Sequence, residues 1–575
     1  MATIIKKIKN RRSYYYAVES GRVNGKPRII WQKYLGTLDN VLERVIGSST
    51  TVKSVSIFEA GGVAAMLRII ERIRLIEIID EVVPKRKQGP SVGQYIAVAI
   101  INRILAPCSK LQMPEWYRET VLYRLWKHPA GVFTSQRFWD HMDLISEEHI
   151  HEIQKRLTLQ VKKEFVINPE LLLYDTTNFF TFIATGNKRN TIAKRGRNKA
   201  KRGDLRQVGL AMLVTQDFQI PLFHQVYQGN IADQSLFQET AATIKKYNEA
   251  VLDSNSDTTL VFDKGNISTD AMEKVILSQQ HFVCAVPRTT AIESDLFSTP
   301  IENFKASSDL AGTKSYTCDI QLWHKTVKAV LTYSESYFTS QLTELMERLQ
   351  KCVKSLHDFD QTLLKDKGAK KYSSLKEVQA AANAIASGDY VKEAMDICAK
   401  KENNTFRISY QINQKKLNHL TEHKLGRTLI ITSRHNWNET KIILAYRGQN
   451  TIENAFKRMK HQEYLHWQPA FHWTDQKIQV HGLYCVFALL VSSLAHKVVL
   501  ENGIEISFLE MLNELTNIRE VALFNSEKTD RRQKGDDFAL SRMTPIQKKL
   551  AAATEIGHVL SRRVGNTKSK KSNQL

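Results

Sequence analysis

The sequence is poor in cysteine and has no C-x-x-C pair. Cys108, Cys284, Cys318, Cys352, Cys398 and Cys485 are six scattered thiols among 575 residues. That argues against a zinc ribbon and against a disulfide framework, and it fits a reducing, cytoplasmic compartment. The opening stretch MATIIKKIKNRR lacks the apolar segment of a secretory leader. Long uninterrupted apolar runs are missing too. The most apolar stretch, Gly482 to Leu500, contains Ser492, Ser493, His496 and Lys497. It reads as a buried helix, and no membrane contact is expected. Acid is in deficit: 59 Asp and Glu face 82 Lys and Arg, giving a net charge of +23. Such an excess, with a pI near 9.5, points to a polyanionic partner, most often nucleic acid.

What is present supports a globular protein. A hydrophobic content of 42% allows sizeable cores, and the length suits three or four domains. Residues 1–12 hold five basic residues and no acid. The segment SYYYAVESGRVNGKPRIIWQKYLG then reads as two strands around Asn24-Gly25, a hairpin turn signal. This basic, Tyr-rich hairpin (1–55) either lies on DNA or packs as a small solvated sheet. From Ser56 to about 165 the pattern is helical. Val63, Met66, Leu67 and Ile70 recur at helical spacing, as do Val98, Ile101 and Leu105. A helical domain binding DNA ends is expected there.

At Glu170 the texture changes. The run Leu171 to Tyr174 is continuously apolar and ends in Asp175, as suits a strand buried on both faces. Two further strands and a helix precede TTLVFDKGN, whose apolar run ends in Asp263. A helix and another strand complete 166–290. Three strands, helix, strand, helix, strand is the ribonuclease-H-like order, an α/β core still lacking its late helix. Residues 291–427 read as an inserted β-rich and helical subdomain. The core is expected to resume over 428–500, with a C-terminal helical segment and basic tail over 501–575.

The missing helix lies at YRGQNTIENAFKRMK, Tyr446 to Lys460. Ile452, Ala455, Phe456 and Met459 form a buried stripe. Glu453, Lys457 and Lys460 share another face, with Lys460 two turns, about 10 Å, beyond the carboxylate. Asn450-x-x-Glu453 alone also reads as a capping box, and Glu453 with Lys457 as an ordinary helix pair. Three acids in matching settings shift the balance. Asp175, Asp263 and Glu453 brought together repel one another unless a cation neutralises them. Oxygen ligands with room for water and phosphate select Mg²⁺ or Mn²⁺. Two such ions about 4 Å apart support in-line displacement at phosphorus without a covalent nucleophile, and no Ser-His or Cys-His constellation is evident.

The basic run Lys188 to Arg206 has nine Lys or Arg against one Asp. It joins the first two core strands, so Lys194, Arg195, Arg197, Lys199, Lys201 and Arg202 are candidate phosphate contacts. The rival reading is a solvated loop. Neutralising about six phosphates would give a log–log salt slope of roughly −5. Trp323, His324, Trp467, His472 and Trp473 are candidates to stack on an unpaired base, with core packing as the rival.

These residues carry a resemblance. The chain resembles bacterial insertion-sequence transposases of the Asp-Asp-Glu (DDE) class, in the group with a Y-x2-R-x3-E-x6-K signature. Tyr446, Glu453 and Lys460 fall at the signature spacing; Gln449 stands at its Arg position, and Arg447 is the candidate substitute. YDTTNFF around Asp175 and FDKGN around Asp263 fit as well. The resemblance implies metal-dependent cut-and-paste transposition. Strands are cleaved at transposon ends, and the freed 3′-hydroxyl attacks target DNA. It implies that Asp175, Asp263 and Glu453 are catalytic and hold two Mg²⁺ or Mn²⁺ ions, with Tyr446, Lys460 and the substitute Arg447 on DNA; Lys457, on the Glu453 face of the helix, is a further candidate phosphate contact, and a solvated lysine is the rival reading for both lysines. The partners would be terminal inverted repeats and target duplex, engaged by a homodimer at the bacterial nucleoid. The alternatives are another ribonuclease-H-like nuclease, or a DNA-binding descendant without chemistry.

Overall fold

The computed structural model describes residues 2–9, 12–23, 26–37, 54–86, 88–167, 169–184, 186–198, 200–251, 257–286, 296–307, 309–364, 372–402, 405–468, 470–524 and 537–562. At the N-terminus, β1 (Ala2–Lys9), β2 (Arg12–Val23) and β3 (Lys26–Gly36) form a three-stranded antiparallel sheet. The basic arm is therefore itself a strand, with Ile5 opposite Tyr16 and Lys7 opposite Tyr14. Its β-branched Thr3, Ile4, Ile5 and Ile8 favour extended backbone. The Asn24-Gly25 turn lies outside the described residues.

After β4 (Ser54–Glu59) the chain enters a helical layer from Gly61 to Glu164. In this layer the apolar helix Val92–Leu105 starts with a full capping box between Ser91 and Gln94. It packs against Asp475–Glu501, the one described helix long and apolar enough to cross a membrane. Of that helix's most apolar window, 89% is buried, so the fold uses it as a core element.

The central sheet begins with β5 (Leu171–Thr181), β6 (Arg206–Thr215) and β7 (Pro221–Gln228), paired antiparallel in sequence. A helix, Asp233–Val251, leads to β8 (Thr259–Phe262), which lies parallel to β5. A second helix, Thr269–Leu277, leads to β9 (His281–Ala285), parallel to β8. Fully apolar but for Thr259, β8 is buried at all four positions, which suits the sheet centre.

The segment after β9 divides. Strands β10 (Lys305–Ala306), β11 (Thr313–Leu322) and β12 (Lys325–Ser334) join the central sheet. The two-residue turn between β11 and β12 is Trp323-His324, with φ of 46° and 60°. Residues Leu345 to Leu425 pack as a second, separate apolar cluster. It combines a long helix, Glu335–Leu363, with the hairpin of β13 (Met395–Glu402) and β14 (Thr405–Ile412). Then β15 (Arg427–Thr432) returns between β12 and β9, as expected from RTLIITSR. The nine-stranded order is β10-β11-β12-β15-β9-β8-β5-β6-β7.

The C-terminal segment holds strands as well as helices. β16 (Arg519–Phe524) pairs with both β17 (Asp537–Leu540) and the distant β4. Arg124 and Glu520 seal this junction through two 2.8 Å bonds, both side chains only 4% exposed. Residues 54–59 and 519–540, remote in sequence, thus close on one small sheet beside the helical layer.

Candidate active site

Parallel pairing of β5 and β8 ends at the register pair Tyr174–Phe262. The residue that follows each member of that pair is an acid. Asp175 and Asp263 therefore emerge side by side, on strands spaced about 5 Å apart. β5 does not stop at Asp175, as the apolar run suggests. It continues to Thr181, paired with β6 alone. Asp263 opens a short turn, Lys264–Asn266, but makes no side-chain cap bond there. Its Oδ1 instead accepts the Tyr446 hydroxyl at 2.9 Å.

Glu453 stands on the helix Gln449–Met459, which packs against β5. Ile452, Ala455, Phe456 and Met459 are buried, as the spacing predicts. The helix starts earlier than a capping box at Asn450 would need: Gly448 is the N-cap, with no side-chain cap bond. The Glu453 carboxylate is thereby left out of capping. It faces a cleft of about 1500 Å³ that Asp175 and Asp263 also line.

Electrostatics mark this cleft. Burial raises the Asp175 carboxyl from the usual 3.8 to about 7, with Asp263, Asp233 and Glu453 adding to the rise. Asp233 is a fourth acid on the wall and accepts the Tyr227 hydroxyl at 3.3 Å. Gly209 makes room for that tyrosine, since a Cβ there would lie 2.1 Å from the ring. The Tyr446 hydroxyl is pushed up by burial and by Asp263, so it stays a donor.

The donors fit a hard divalent cation in kind. All four acids offer oxygen, and Asn266 adds a buried Oδ1 with no partner on the same wall. Among the described residues, however, no three His, Cys, Asp or Glu groups form a ready-made ligand shell. The arrangement is an open set of carboxylates around a cleft.

The expected cations divide. Lys460, just past the helix, lines the cleft; its ammonium bonds Thr177 Oγ1 at 2.7 Å and sits 5.2 Å from the Phe179 ring centre. Arg447 also lines it and donates to Thr313 Oγ1 at 2.8 Å. Gln449, at the signature's Arg position, lines the cleft with a buried, unpartnered Nε2. Lys457 does not line the cleft and lies 3.4 Å from Asn454 Oδ1. In the basic run, Arg197 reaches the wall. Lys194 is held by backbone bonds to Gln207. Arg195 and Lys201 are exposed away from the lining. Arg202 forms a paired bond to Asp204, at 2.7 and 2.6 Å. Lys199 lies outside the described residues. Of the candidate stacking groups, Trp467 is buried, stacked on Phe179 at 4.2 Å, and His472 is buried too. Trp473 is exposed.

Three contributors carried no readable signal. Asp233 opens a helix, where an acid is ordinary. Asn266 looks like a turn residue. Arg103 comes from the helical layer, and its Nη1 donates to the carbonyls of His466 and Gln468 at 2.7 and 2.6 Å. Both of those residues line the cleft.

No family model matches the chain, and no curated protein matches it. Among solved structures it is similar to the cryo-EM structure of a piggyBac transposase synaptic complex with hairpin DNA. That likeness has 9% identity, 79% coverage of each chain and a TM-score of 0.37. It is too distant to assign a fold or a chemistry.

Proposed function

We propose that the chain is a DNA transposase of the Asp-Asp-Glu class, cutting transposon ends and joining the freed 3′-hydroxyl to target DNA. One observation carries this reading. Asp175, Asp263 and Glu453, remote in sequence, open on one cleft from two adjoining parallel strands and a packed helix. The order β7-β6-β5-β8-β9, numbered 3-2-1-4-5 along the chain with its second strand antiparallel, supports a ribonuclease-H-like core.

In this reading Asp175, Asp263 and Glu453 hold Mg²⁺ or Mn²⁺, with Asp233 and Asn266 beside them. Such ions, when bound, activate an attacking hydroxyl and stabilise the leaving oxygen. The chain's own groups do the positioning. Tyr446 fixes the Asp263 carboxylate through its hydroxyl. Lys460, Arg447 and Arg197 present cations from three parts of the wall, where a phosphate strand needs them. Their charge offsets the substrate's, while the four acids bias the cleft toward divalent metal. Duplex DNA is the partner this charge balance suits, and pairing two ends calls for a homodimer on DNA.

The test uses the full chain, labelled DNA carrying the repeats that flank the gene, and Mg²⁺ with or without chelator. Cleavage and joined products are expected with Mg²⁺ only. Asp263→Asn should abolish cleavage and keep end binding. Equal cleavage by that variant would falsify the assignment.

A further inference from the structure

Behind one wall of the cleft lies a polar network that the proposed reaction does not use. The loop after Lys460 brings His466, Trp467 and Gln468 to the cleft, and two helices hold it from behind. Arg103 donates to the His466 and Gln468 carbonyls, and its own carbonyl accepts the Leu465 N–H at 2.9 Å. Leu465 sits at φ 55°, in the left-handed region that a residue with a bulky side chain rarely adopts. The loop keeps this shape only while it is held. From the helix Asp475–Glu501, His481 Nε2 donates to the Trp467 carbonyl at 2.7 Å.

That bond fixes the imidazole. With its hydrogen on Nε2, a neutral His481 offers Nδ1 as an acceptor. The Tyr484 hydroxyl and the His472 Nε2–H both donate to it, the latter at 2.8 Å. His472 Nδ1 is then bare, buried and without a partner. Burial and the neighbouring cations hold both imidazoles well below their ordinary range, so both stay neutral. Lys110 Nζ in turn donates to the Tyr484 oxygen at 3.1 Å. One hydrogen-bonded chain thus runs from Lys110, in the turn after Val92–Leu105, through Tyr484 and His481 to the cleft wall. Lys110 and Arg103 share the Tyr484 ring, their charged groups 5.2 and 5.8 Å from its centre. Lys110 also faces Cys108, Cys485 and, at 6.0 Å, the ring of Trp139; burial keeps both thiols protonated. Lys477, on the same Trp139 ring, is paired with Asp143. Among the described residues no carboxylate bonds Arg103 or Lys110. A cation taken from water without a counter-charge gives up its proton readily. Burial, with Arg103 beside it, brings the Lys110 ammonium down to about 7.

We infer that Lys110 is the proton-operated release of a latch on the cleft wall: its uncharged amine leaves Arg103 closed on the loop, and its ammonium, a second cation on the same ring, loosens that grip. The loosened loop carries Trp467, which stacks on Phe179 beneath Lys460. Release therefore reaches a cation of the cleft from a lysine that does not line it. The latch needs neither DNA nor metal, so its failure leaves the proposed reaction standing.

The test is amide hydrogen exchange of the full chain, without DNA or metal, read on the segment His461–Gln468 and corrected for the intrinsic effect of pH. Wild type should exchange several-fold faster at pH 6 than at pH 8, with a midpoint near 7. Lys110→Met should keep the segment protected at both. Lys110→Arg, charged throughout, should leave it open at both. Asp175→Asn should retain the wild-type shift, which separates the latch from the carboxyl that titrates in the same range. Equal wild-type exchange at the two pH values overturns the latch, whatever the variants do. So does a shift that survives in either Lys110 variant, or one that disappears in Asp175→Asn.

Discussion

Replacing Asp175 with asparagine should make the metal-free protein more stable at high pH, although it removes a proposed catalytic group. The folded carboxyl holds its proton to about 7, against 3.8 in the ordinary case. Below about pH 4 both states are protonated and the group is neutral in effect. Between about 4 and 7 the unfolded chain has lost the proton while the folded chain retains it. Stability therefore falls as pH rises through that window and stays low above it. At 1.36 kcal/mol per pH unit the ceiling is ~4 kcal/mol. Partial exposure to solvent in the open cleft cuts this to about 2 kcal/mol. The amide of the variant carries no such charge. Scanning calorimetry with chelator present should give the variant a melting temperature a few degrees above wild type at pH 8. The gap should close by pH 4. Adding Mg²⁺ should raise the wild type more than the variant, since binding to the folded state alone stabilises it. Equal melting at pH 8, or a variant less stable there, would refute the claim that burial, with the neighbouring acids, holds the Asp175 carboxyl above its ordinary range.

The other expectations concern positioning. Tyr446→Phe removes the donor to Asp263 and should cost about 1.5–3 kcal/mol. In a cleavage assay it should lower the rate while DNA binding changes little; unchanged stability and rate would place the Tyr446 bond outside the machinery. Arg103→Met strips the two carbonyls at His466 and Gln468 of their donor. About 2–4 kcal/mol of stability should go with it, together with cleavage activity, although Arg103 is not a wall residue. Chemical denaturation and the same cleavage assay check this, and retained activity in a destabilised variant would limit Arg103 to folding.

Local patterns carried much of this architecture. The apolar runs at Leu171 and Thr259 announced buried strands, and the acids ending those runs followed from them. The stripe Ile452, Ala455, Phe456, Met459 announced the packed helix that turns Glu453 outward. Pairings chosen at long range were not legible. Periodicity makes β11 and β12 strands, but only tertiary packing places them beside β15. The union of β4 with β16 spans most of the chain, and no window of sequence contains both. For the same reason Arg103 gave no warning of its grip on the loop after Lys460. The basic run Lys188 to Arg206 looked uniform, yet Arg202 is spent on its neighbour Asp204 while Arg197 alone of its described candidate cations reaches the cleft. Charge counts do not encode which way a side chain turns.

The measurement closest to the centre of the account is a Mn²⁺ titration of the full chain, followed by electron paramagnetic resonance. Wild type should take up the ion tightly, and Asp175→Asn, Asp263→Asn and Glu453→Gln should each weaken the same uptake by at least about tenfold, the loss of one charged ligand being worth ~1.4 kcal/mol or more. If any one of the three leaves the titration curve where it was, those oxygens do not share an ion.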